Sequence, residues 1–123
     1  MAQRIEKSAD IVDISQLLGD GREQRVTPEQ LATLDSIQKR LLWLSTNIIH
    51  HANHVRPSTD GVKVGGHQAS SASVVSILTA LYFHALKQGD RVSVKPHASP
   101  VFHAIQYLLG QLDHEYLTTL REY

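Results

Sequence analysis

The stretch VGGHQASSAS, residues 64–73, decides how the rest of the chain is read. Two glycines lead into His67, and small residues follow at five of the next six positions. A core helix calls for neither feature. Glycines ahead of a helix let the backbone take positive φ or approach a ligand closely. The free N–H groups at a helix start favour an anion such as phosphate. An imidazole there adds a donor, and Ser70 and Ser71 add hydroxyls. The run of small side chains lets another backbone or a cofactor pack close. The plainer alternative is a turn histidine bonded to backbone.

Upstream, Thr27-Pro28 with Gln30 is a helix start: a cap, a proline at the first helical position and a capping-box partner. Leu31, Leu34, Ile37, Leu41, Leu42, Ile48, Ile49 and Ala52 follow at three- and four-residue steps, the helical period. Pro57 disfavours helix at Arg56, so the helix should end near Val55. About 28 residues give roughly 42 Å, long for a chain of this size. Before it, residues 1–26 read as an arm. Ile11, Ile14, Leu17 and Leu18 form one amphipathic turn there, broken by Gly19-Asp20-Gly21.

Downstream, PSTDGVKVGG (57–66) is a loop, and a second helix is expected over Gln68–Lys87 with Gly89 as its stop. RVSVK (91–95) alternates and predicts a short strand ended by Pro96. Ser99-Pro100 opens a third helix to about Leu109, and Asp113 caps a fourth over His114–Tyr123. The chain is thus expected to be mostly α-helical with one strand.

Lysine plus arginine equals aspartate plus glutamate at 12 each, so no basic excess points to nucleic acid or an anionic membrane. The absence of cysteine excludes disulfides and zinc–thiolate sites and fits the cytoplasm. No run approaches the ~18 apolar residues of a membrane span.

Histidine is the unusual count, at eight. His50 and His54 share a helix face, as a metal-chelating pair would, but the Glu of a zinc-protease helix is missing. The plainer reading is a cationic helix end, and no metal ligand is assigned. His84 and His103 read as core or interface histidines, and His114 as an exposed first-turn residue. His97 follows the expected strand, where open α/β sheets bind ligands.

KVGGHQASSAS (63–73) and KPHASPVFHAIQYLLGQLD (95–113) together resemble the N-terminal part of transketolase-like thiamine diphosphate enzymes. The likeness is greatest to the homodimeric decarboxylating component of bacterial pyruvate dehydrogenase complexes. It covers roughly residues 35–123 and rests on both motifs in order. That family has a Gly-Gly-His-x-Ala-Ser segment and, some thirty residues on, a Gly-His-x-Ser-Pro segment. Gly19-Asp20-Gly21 with Asn47 mimics the spacing of the family's magnesium–diphosphate motif. Its setting is wrong, because Asn47 falls inside the long helix and Asp20 follows no buried strand.

The resemblance implies an α/β parent, a parallel sheet flanked by helices, of which residues 27–123 are a truncated N-terminal portion, inactive alone. It implies thiamine diphosphate and magnesium as cofactors, most of their ligands lying elsewhere. The substrate would be a 2-oxoacid or sugar phosphate, and a second copy would complete the site. His67 and His97 would be catalytic. His67, Ser70, Lys95 and His97 would bind the cofactor, Lys95 standing where the pyruvate dehydrogenase pattern has Gln. Two other readings compete: a stand-alone helical interaction or dimerisation domain with structural histidines, and a small histidine-rich metal protein.

Overall fold

The computed structural model describes residues 26–122. The arm expected over 1–26, with its amphipathic turn and Gly19-Asp20-Gly21 break, lies almost wholly outside the described residues.

Helix α1 spans Pro28–His50. Its start is the expected capping box: Thr27 Oγ1 accepts from the Gln30 N–H at 3.1 Å, and Gln30 Oε1 accepts from the Thr27 N–H at 2.9 Å. The helix widens into a π-helical turn over His51–Val55 and ends at Arg56, which turns extended (φ −66°, ψ 132°) ahead of Pro57. Leu41, Ser45, Ile48, Ile49 and Ala52 bury one stripe, with Ile37 and Leu44 at its edge. Leu31 and Leu42, also apolar in the sequence, face solvent instead.

The second helix is not the single rod expected over Gln68–Lys87. It is α2, Gln68–Ser73, then α3, Val75–Ala80, joined at Val74 (φ −102°, ψ −2°). Ser73 Oγ donates to the Ser70 carbonyl at 2.8 Å, a side-chain bond that competes with the helix ladder just before two β-branched valines. A π-helical turn over Leu81–Ala85 follows α3. The helical run ends there rather than at Lys87. Gly89 serves the next turn instead, in which the Asp90 carboxylate accepts from the Lys87 N–H at 2.8 Å.

No strand is present among the described residues. Arg91–Lys95 keeps the alternation that predicted one: Val92 and Val94 are half-buried, while Arg91, Ser93 and Lys95 are exposed. It has no neighbouring strand to pair with, and a strand needs that ladder. A 3-10 turn, Pro96–Ala98, leads into α4, Ser99–Leu108. This matches the third helix to within a residue. Beyond Leu109, the Gly110 N–H bonds Tyr107 O at 3.0 Å and the Gln111 N–H bonds Gln106 O at 2.8 Å, closing the helix in a Schellman motif.

The expected fourth helix is only a 3-10 turn, His114–Thr118. Asp113 makes no capping bond, and Leu117 and Leu120 are drawn into the core. The core is therefore helix on helix. Leu41, Ile48 and Ile49 of α1 meet Val101, Ala104 and Ile105 of α4, with Val75 and Leu78 of α3 beside them. The fold shown is mostly α-helical. No helix among the described residues is long and apolar enough to cross a membrane.

Candidate functional site

The Gly65-Gly66 pair is held in place before His67 begins. Gly65 (φ +89°) and Gly66 (φ +113°) both adopt backbone that L side chains rarely take. Asn53 spans 12 residues to grip the first of them. Its Oδ1 accepts from the Gly65 N–H at 2.9 Å, and its Nδ2 donates to the Gly65 carbonyl at 2.9 Å. The same Nδ2 donates to Ile49 O at 3.0 Å. A Cβ on Gly66 would sit 3.2 Å from Ile49 Cγ2, so the loop presses directly on α1.

His67 is the N-cap of α2, extended (φ −100°, ψ 109°), and its side chain makes no capping bond. His97 sits in the 3-10 turn, which Lys95 introduces and Pro96 opens. Thirty residues apart in sequence, the two imidazoles meet with ring centroids 5.2 Å apart, tilted by 44°. Both are exposed. The crevice beneath them is lined by Gly66, His67, Pro96, His97, Ser99, Pro100, Leu120 and Arg121 and measures about 10 Å³. That is room for one water. A group the size of a coenzyme does not fit inside this crevice.

Ser70 is exposed one turn beyond His67, three residues on and so on the same side of α2. Ser71 is not its companion. It is buried, and its hydroxyl has no hydrogen-bond partner among the described residues. Lys95 is exposed immediately before Pro96. No strand delivers His97, whose position is set instead by the proline-led turn.

Elsewhere, His50 and His54 stack at 5.0 Å, confirming a shared face. No cluster of three or more potential metal ligands occurs among the described residues. His84 is exposed, not core. His114 is exposed as expected and lies edge-on to Tyr107 at 6.1 Å. His103 is half-buried on α4, and that burial pushes its imidazole below the ordinary range by penalising the charged form.

Sequence reasoning missed Asn53 and Arg121. Asn53 left a trace, since Asn is a poor helix-interior residue that suits side-chain-to-backbone bonding. Arg121 donates from Nη1 to Val64 O at 2.8 Å across 57 residues, and no local pattern announces that. No family model, no curated protein and no solved structure matches this chain.

Gly66→Ala should lower stability by about 1–3 kcal/mol in urea unfolding, combining φ strain with the Ile49 contact. Gly61 (φ +71°) has nothing within 4 Å of an added Cβ, so Gly61→Ala carries the φ strain alone and should lose less. Equal losses would refute the close packing. His103 supplies a pH dependence. Its folded-state pKa is depressed below the ordinary 6.5, so the unfolded chain takes up its proton first as pH falls. Its contribution to stability is complete above about pH 6.5 and declines below it. Unfolding of His103→Gln between pH 5 and 8 should show a flatter profile than wild type.

Proposed function

We propose that this chain supplies the histidine-bearing part of a thiamine diphosphate pocket, in an enzyme of the 2-oxoacid dehydrogenase or transketolase type. One observation carries the proposal. His67 and His97, singled out by the paired motifs, stand 5.2 Å apart. Each is presented by a backbone turn with its imidazole open to solvent.

When bound, thiamine diphosphate supplies the carbon nucleophile for making and breaking bonds beside a carbonyl. The role of this chain is to orient and to handle protons. An imidazole carries both a donor and an acceptor nitrogen, so His67 and His97 would donate hydrogen bonds to the substrate oxygen or move protons to and from it. Ser70 and Lys95 would offer an anionic group a hydroxyl and an ammonium. Magnesium and the remaining diphosphate ligands come from outside the residues named here. A second copy would close the open side of the pair. The substrate is a 2-oxoacid or a sugar phosphate, and the setting is the cytoplasm, without nucleic acid or membrane.

A helical interaction module is the second reading, and Trp43 favours it. Trp43 is 65% exposed on α1, beside a groove of about 450 Å³ that it lines with Lys39, Arg40, Leu44, Tyr107 and Leu108. An exposed aromatic rimmed by polar residues suits a contact surface.

The two readings part in mutagenesis. In the enzyme containing this chain, His97→Ala and His67→Ala should each lower turnover of a 2-oxoacid or ketose phosphate by about 100-fold or more, the usual range for a proton-transfer group. Wild-type turnover in both variants would sink the enzymatic reading. The module reading instead expects Trp43→Ser to abolish concentration-dependent association in sedimentation velocity, with the histidine variants silent.

A further inference from the structure

We propose that Arg121 is a positioning residue that sets the spacing of the His67–His97 pair. Arg121 has φ 57°, the one positive value at a non-glycine position among the described residues. Such a conformation persists only where the surroundings over-determine it. Its surroundings do. Leu117 and Leu120 are buried on one side of it. Arg56 donates to Thr118 O at 3.3 Å and to Leu120 O at 3.0 Å, and it lies 3.8 Å from the Glu122 carboxylate. The turn carrying Arg121 is thereby tied to the end of α1.

From that fixed turn, the Arg121 guanidinium reaches Val64 O at 2.8 Å. The receiving side is shaped for it. A Cβ on Gly65 would stand 2.8 Å from Arg121 Nη1, so glycine is what lets the guanidinium come in. Asn53 holds Gly65 through both its N–H and its carbonyl, and Gly66 rests on Ile49. The approach to His67 is therefore pinned by α1 from one side and by Arg121 from the other. Leu120 and Arg121 also line the crevice shared with Pro96, His97 and Pro100. Arg121 thus bonds the segment before His67 while its own turn stands beside the segment bearing His97.

The geometric role stands on these contacts alone, whereas its catalytic consequence rests on the thiamine diphosphate reading. An Arg121 that merely fastens the C-terminal turn would act as Arg56 does and leave the imidazoles in place. The test is the cross-relaxation between the ring protons of His67 and His97, read by NMR on the histidine-labelled protein. Wild type should show it. Arg121→Ala should lose at least half its intensity while Leu41 and Ile105 methyl resonances stay in place. Arg121→Lys, which keeps one donor for Val64, should restore part of it. An unchanged signal in Arg121→Ala, or no signal in wild type, overturns the proposal. Should Arg121→Ala fail to fold, Arg121→Gly, which removes the donor and tolerates the positive φ, decides: a signal reduced by half or more with the core in place supports the role, and an unchanged signal refutes it. If the ring signal responds as expected but His67→Ala and His97→Ala keep full turnover, the positioning role survives and the enzymatic reading fails.

Discussion

The side chain of Asn53 is the interaction on which the rest of the arrangement depends. A turn of two glycines has no ladder of its own, and its half-buried amide and carbonyl both need partners. Asn53 satisfies both from the end of α1 and bonds Ile49 O as well, so its amide is fixed at three points. An amide side chain is the natural choice, because it is at once a donor and an acceptor. Through it the longest helix among the described residues dictates where α2 begins, and so where His67 stands. The π-helical widening at His51–Val55 places this residue in an irregular turn. Such widenings are frequently found at functional sites.

The parts of the fold legible in the sequence were those decided locally. The Thr27–Gln30 box, Pro57 and Ser99-Pro100 each act within a few residues of themselves, and each marks an observed boundary closely. The misread parts depend on partners far along the chain. Arg91–Lys95 alternates as a strand does, but alternation specifies only which side faces inward, and pairing requires a neighbour. His114–Thr118 carries a plausible cap in Asp113, but that side chain makes no capping bond and the run forms only a 3-10 turn. The break at Val74 shows the opposite failure. Serines and paired valines weaken the ladder locally, and apolar periodicity hides this.

The site divides the same way. The motifs nominate His67 and His97, and the fold brings their rings together. Ser70 and Ser71 looked equivalent as a pair of hydroxyls, but adjacent helix positions point about 100° apart, and only Ser70 reaches the surface. Asn53 and Arg121 hold the loop through bonds spanning 12 and 57 residues, and such spans leave almost nothing in a local pattern.

Charge sharpens what this site would accept. The chain is neutral overall, with 12 basic and 12 acidic residues. The crevice at the histidine pair departs from that balance. Its lining includes Arg121 and two imidazoles and no carboxylate. Lys95 stands exposed beside it, next to Pro96. The nearest acid along the chain, Glu122, faces Arg56 instead. Arg121 places a fixed cation at this crevice that the net charge conceals. A cation there favours an anionic group over an amine. A crevice with room for a single water holds at most a small part of any such group. Any discrimination at such a crevice would act through charge at its rim rather than through enclosure.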